Sequence, residues 1–136
     1  MSSLMESEYL FVYGTLLKDF ESDMSKFLEQ HSEFVGSGYF NGNLYEISWY
    51  PGAVLSDNPN EKVYGHVFKI LNAEKTFKVL DDYEGIGDTD EHANEYNRTL
   101  IDAYLDTQEI IKTWVYIYNL STTHLKHISS GKYLSL

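Results

Sequence analysis

Five consecutive residues, Tyr9-Leu10-Phe11-Val12-Tyr13, are aromatic or aliphatic, and the run stops at Gly14. A strand with one wet face alternates apolar and polar side chains, so an unbroken run of strand length predicts a strand covered on both faces. Such a strand belongs in the middle of a sheet. The rest of the chain can supply the cover: 43% of its 136 residues are hydrophobic and 15% aromatic, with 12 Tyr among them. That length suits one compact unit. We expect a single domain over residues 1–136, with its core at about 9–118 and a C-terminal tail at 119–136.

Asp23 can cap a short helix in which Met24, Phe27, Leu28 and His31 share a face. Between Phe34 and Ile47 the glycines at 36, 38 and 42 interrupt an aromatic-rich extended segment, which suggests bent strands of the kind that close a small barrel. Asp57-Asn58-Pro59-Asn60 reads as a turn, and Val63 to Ile70 as the strand after it. Asn72 then caps a helix running to about Glu84, with Gly85 at its C-terminal stop. Residues 85 to 95 form an acidic, solvated loop. Tyr96 to Leu105 and Glu109 to Tyr118 read as a hairpin turning at Asp106-Thr107-Gln108, and the tail after Asn119 carries few regular signals. Strands with no helix between each pair predict an α+β fold with a small, mixed, largely antiparallel barrel flanked by two or more helices.

Ten Lys and Arg stand against 21 Asp and Glu, a net charge of −11. A chain so acidic has little basic surface with which to release counterions from a phosphate backbone, so nucleic acid is not an expected partner. No apolar stretch reaches membrane-spanning length, and Met1 to Glu8 lacks the basic start and apolar run of a signal segment. The expectation is a cytoplasmic protein with no membrane partner. The absence of Cys excludes thiolate nucleophiles and Cys-based metal sites. Only His124 and His127, among five scattered His, approach ligand spacing, so neither a metal nor another cofactor is expected.

Two places could carry chemistry. With Phe77 at zero on a wheel of about 100° per residue, Leu80 lies near −60°, Ala73 near −40°, Glu84 near −20° and Asp81 near +40°. Glu84 thus falls on the apolar face, Asp81 at its edge, and Val79 on the far side. Burial and the partial negative charge of a helix C-terminus both disfavour a carboxylate, so the Glu84 pKa should rise from about 4.3 toward neutrality. That suits a general acid or base. The plain alternative is a Glu at a frayed helix end, turned to solvent. At Tyr13-Gly14-Thr15-Leu16 a buried strand stops at a glycine, and the backbone N–H groups released from the ladder can form an anion-binding nest or an ordinary turn. Trp114, Tyr116 and Tyr118 alternate on one strand face, which favours sheet packing over a ligand platform.

In order and spacing, several segments resemble the gamma-glutamylcyclotransferase-like superfamily. They are Phe11-Val12-Tyr13-Gly14-Thr15-Leu16, Tyr50-Pro51-Gly52-Ala53, Val63-Tyr64-Gly65, Leu80-Asp81-Asp82-Tyr83-Glu84-Gly85, Tyr96-Asn97-Arg98, Trp114-Val115-Tyr116-Ile117-Tyr118 and Ser130-Gly131-Lys132-Tyr133. The resemblance is closest to the branch of avirulence-induced-gene-like and gamma-glutamylamine cyclotransferases. It implies a small mixed barrel with a cavity between the loop after the first strand and the end of the later helix. It implies Glu84 as the catalytic acid and base, and Tyr13, Gly14, Thr15 and Leu16 as the loop holding a glutamyl end. Arg98, Tyr116 and Tyr118 match structural or pocket-lining positions.

The implied partner is a small gamma-glutamyl compound, cyclised to 5-oxoproline with release of an amine or peptide and without a cofactor. The acidic loop between Glu84 and Tyr96 is longer than in the shortest family members, so acceptor-side specificity stays open, as does oligomeric state. A member that keeps the pocket but only binds a metabolite or a partner is the alternative reading, and the retained Glu84 counts against it, because burying an acid costs free energy that a binding pocket does not require.

Overall fold

The computed structural model describes residues 7–13, 23–47, 51–84 and 96–132, with the side chains of 23–25 and 82–84 left aside. The elements in order are β1 (Tyr9–Val12), α1 (Asp23–Gln30), β2 (Ser32–Glu46), β3 (Pro51–Leu55), β4 (Lys62–Ile70), α2 (Ala73–Glu84), β5 (Tyr96–Leu105), β6 (Ile110–Tyr118) and β7 (Lys126–Ile128). Hydrogen-bonded neighbours run β2–β4–β1–β6–β5, and β5 returns to β2 through Gly38↔Leu105 and Tyr39↔Tyr104. This closes a five-stranded barrel. Every pair in the circuit is antiparallel except β1 with β6, which register in parallel at Leu10↔Trp114 and Phe11↔Val115.

Alternation along the strands sorts the side chains into two cores. Phe11, Tyr13, Phe40, Leu44, Val63, Val67, Ala103 and Val115 fill the barrel interior. Leu10, Val12, Phe68, Ile70, Tyr116 and Tyr118 point outward and pack with Leu28 of α1 and Ala73, Phe77 and Leu80 of α2. β1 is therefore covered on both faces and paired on both edges, which is why its sequence shows no alternation.

The segment from residue 32 to 46 is one long strand that bends, with a register shift between Phe34 and Gly36. Gly38 and Gly65 face each other across β2 and β4. A Cβ on Gly38 would lie 2.3 Å from the Tyr104 carbonyl oxygen, and one on Gly65 2.2 Å from that of Val12. Barrel closure brings backbone where a side chain would stand. The second half of β2 carries β3 on one edge and β7 on the other.

The turn before β4 is held by local polar contacts. The Glu61 carboxylate accepts hydrogen bonds from the Ser56 hydroxyl and from Asn43 Nδ2 (3.1 Å), which hold its carboxyl below the usual carboxylate range. The β5–β6 turn closes through Leu105 N–H to the Glu109 carbonyl (2.8 Å), with Gln108 at φ 75°. Of the segment after Asn119, Lys126–Ile128 pairs with β2, and Tyr64 N–H donates to the Gly131 carbonyl (2.8 Å). A three-residue strand is too short to show a period in sequence.

Candidate active site

α2 follows β4 through Asn72, which takes φ 50° and whose carbonyl accepts from Thr76 N–H (3.0 Å), while the Thr76 hydroxyl donates to the Leu71 carbonyl (2.7 Å). Ala73, Thr76, Phe77 and Leu80 are buried and Val79 is exposed, so the helix presents the face that its periodicity predicts. Glu84 is the last residue of α2. Its side chain, and Gly14, Thr15 and Leu16 with the acidic stretch 85–95, lie outside the described residues.

What is described is the wall from which the first strand and this helix depart. Tyr13 follows β1 directly, and its phenol points into the barrel rather than at solvent. Its hydroxyl donates to the Tyr116 carbonyl (2.6 Å) and accepts from Ala53 N–H (3.1 Å), tying β6 to β3. Tyr96 Oη donates to the Pro51 carbonyl (2.6 Å), and Gly52 lies beneath Tyr118, where an added Cβ would come within 2.9 Å of the tyrosine Cβ. The Pro51-Gly52-Ala53 segment is thus an edge strand pinned by tyrosines. Tyr118 is buried and meets Tyr96 edge to face, with ring centres 5.6 Å apart.

Tyr116 belongs to a second polar group. Its own hydroxyl donates to Asp81 Oδ1 (2.8 Å), on α2 one turn before Glu84. Arg98, the chain's only arginine, donates to the same carboxylate through Nε to Oδ1 (2.8 Å) and Nη2 to Oδ2 (3.2 Å). The guanidinium lies between two rings, 4.5 Å from the centre of Phe77 and 4.6 Å from that of Trp114. Trp114 is itself fixed by its indole N–H to the Ser7 carbonyl (2.9 Å).

Tyr13, Tyr116 and Arg98 therefore form one connected group with Asp81, while Tyr118 packs beside Tyr96. Sequence reasoning puts Asp81 at the edge of the buried face and goes no further. The signal that would have found its partner is the chain's solitary arginine, two residues after the buried Tyr96 on β5 and opposite Tyr116 of β6. Among the described residues, no group of three or more His, Asp or Glu side chains could hold a metal ion, and no helix is long and apolar enough to cross a membrane.

Known proteins share the sequence and the fold of this chain. A Methanocaldococcus jannaschii protein named "Putative gamma-glutamylcyclotransferase MJ1514" is 32% identical over 129 residues, covering 93% of this chain and 95% of its own. The Escherichia coli K12 protein named "Gamma-glutamylcyclotransferase family protein YtfP" is 32% identical over 126 residues, with coverage of 92% and 95%. The solution structure of Escherichia coli ytfP superposes with a TM-score of 0.66 at 30% identity, over 93% of this chain and 96% of that one. The crystal structure of an AIG2-like protein from Mus musculus shares the fold, with a TM-score of 0.63 at 19% identity over 83% and 78%. Residues 10–135 match the family described as gamma-glutamyl cyclotransferase, AIG2-like, and the chain belongs to it.

Proposed function

We propose that this protein cyclises a gamma-glutamyl amine or peptide to 5-oxoproline, with Glu84 carrying the proton. The observation that carries this reading is the burial of Ala73, Phe77 and Leu80 against the barrel, because helical spacing sets Glu84, at the end of the same helix, in line with that strip. Family membership supports the reaction class.

In the reaction the substrate's α-amine attacks its own γ-carbonyl carbon. The Glu84 carboxylate takes the proton that this nitrogen loses, the tetrahedral intermediate forms, and the bond from carbon to the leaving nitrogen breaks as Glu84 returns the proton to it. The products are the five-membered lactam and a free amine. A positioned acid/base contributes about 10²–10⁴ in rate. Holding the glutamyl chain folded adds an entropic share, since ring closure is unimolecular. Backbone N–H groups at residues 14 to 16 supply the donors for the substrate carboxylate or the developing oxyanion. No step uses a metal or an organic cofactor, so turnover is expected to survive exhaustive chelation.

The test is 5-oxoproline release from glutathione, gamma-glutamyl amino acids and gamma-glutamyl-lysine-type amines. Glu84→Gln removes the titratable group at nearly constant size, so the variant should fold, by circular dichroism, and lose about 10²–10⁴ in rate. A folded variant within a few-fold of wild type would remove Glu84 from the mechanism. Silence of the wild type across the whole panel would bring forward the reading of a metabolite-binding protein.

A further inference from the structure

We infer that Arg98 is a positioning residue for the reaction: with Tyr116 it holds Asp81 against the barrel wall and so sets where the last turn of α2, and Glu84 with it, stands. The inference rests on the proposed role of Glu84.

The contacts are those of a built joint rather than a chance surface pair. One carboxylate accepts three hydrogen bonds from two neighbouring strands, Nε and Nη2 of Arg98 on β5 and the hydroxyl of Tyr116 on β6. An exposed ion pair between flexible side chains contributes little, because it competes with water and costs rotamer freedom. Here both side chains are about one-fifth exposed, at 20% and 21%, and the guanidinium plane is clamped between Phe77 and Trp114. Fork geometry and ring stacking are properties of arginine that lysine lacks.

Stability alone does not account for the joint. Two charged groups brought partly out of water lose hydration, and apolar residues of similar volume fill such a place equally well or better. What an ion pair of this kind adds is direction. Phe77 and Leu80 can slide on an apolar wall, whereas a bidentate fork fixes both the rotation and the height of the helix. The joint stands at Asp81, three residues before the helix ends at Glu84. Residue 116 also accepts the Tyr13 hydroxyl on its carbonyl, so one residue of β6 braces both the helix end and the residue that leads into Gly14. A displacement of about 1 Å at a reacting group can cost about 10² in rate.

The experiment compares Arg98→Lys and Asp81→Asn, alone and combined with Glu84→Gln, by kcat and KM for 5-oxoproline release and by amide hydrogen exchange. Each single variant is expected to lower kcat by about 10- to 100-fold with KM within about threefold. In the Glu84→Gln background the same changes should cost less than about threefold, because the joint acts only through Glu84. Exchange at residues 81–84 should accelerate in both variants while the amides of β1 and β4 keep their protection. Equal losses in both backgrounds, a loss confined to KM, or unchanged exchange at the helix end would overturn the inference. Failure of the proposed function shows separately, as a Glu84→Gln single variant with wild-type kcat or as no turnover of any gamma-glutamyl compound. In that second case the exchange rates still decide: acceleration confined to residues 81–84 supports the joint, and its absence refutes it.

Discussion

The barrel interior and the seam between barrel and α2 are both largely closed to water, yet they are built on opposite rules. Inside the barrel, Phe11, Phe40, Leu44, Val63, Val67 and Val115 meet without a charged side chain among them. In the seam, a carboxylate, a guanidinium and a phenol hydroxyl lie beside Phe77, Leu80 and Trp114. The interior is held by non-directional burial, so its failures are voids and overlaps. The seam is held by directed hydrogen bonds, so its failures are misalignments. The wall and the joint are thus secured separately, one by packing and the other by directed bonds.

Substitutions inside the barrel should therefore cost stability without altering catalysis per folded molecule, and those in the seam the reverse. The largest effect is expected at Gly65. A Cβ there would stand 2.2 Å from the Val12 carbonyl oxygen and 2.7 Å from the Phe11 ring, and the first neighbour is backbone that can yield only by opening the β1–β4 ladder. Gly65→Ala should cost more than about 4 kcal/mol and leave little folded protein, read by thermal unfolding. Next comes Leu44→Ala, which deletes a fully buried side chain and should cost about 2–5 kcal/mol in urea unfolding, while the rate per folded molecule stays within about threefold. A matching drop in kcat would break the separation.

Tyr13→Phe sits on the border between the two regions. Its ring belongs to the interior, but its hydroxyl bridges the Tyr116 carbonyl and Ala53 N–H. Removing the oxygen takes away both of these bonds from the buried contact between β6 and β3, at about 1–3 kcal/mol. Because the lost bond touches residue 116, this variant should also reduce kcat, by less than Arg98→Lys does. A pure stability loss would move Tyr13 wholly into the interior.

The two regions also differed in how far the sequence disclosed them. β1 was legible because a strand buried on both faces leaves an unbroken apolar run, and α2 because Ala73, Phe77 and Leu80 recur at helical spacing. The β5–β6 hairpin was legible from its polar turn. β3 was hidden by Pro51 and Gly52, which lower strand propensity, and it exists because an edge strand tolerates a missing N–H and because Tyr118 covers the glycine. The seam was the least legible part. Asp81 and Arg98 are 17 residues apart on different elements, and nothing local in either stretch announces that a barrel strand and a helix will bring them within 2.8 Å. Local patterns report what each element buries; pairings between elements appear only after closure.

The smallest expected effect concerns Thr113, a polar side chain of the barrel interior that lacks the bonds the Tyr13 hydroxyl makes. Thr113 lies on the inward face of β6, two residues before Val115 and opposite Ile101 of β5, and none of it is exposed. Its hydroxyl has no hydrogen-bond partner among the described residues. A hydroxyl taken from water into an apolar surrounding without a partner loses free energy that a methyl group of the same shape does not. Valine keeps the branched outline and the strand preference, so the packing of the interior need not change. Thr113→Val should therefore stabilise the protein by about 1 kcal/mol, seen as a higher urea midpoint at unchanged slope, with kcat and KM as in wild type. A loss of stability instead would mean that this hydroxyl has a buried water for a partner, and the interior would then share with the seam the directional polar bonding that separates the two.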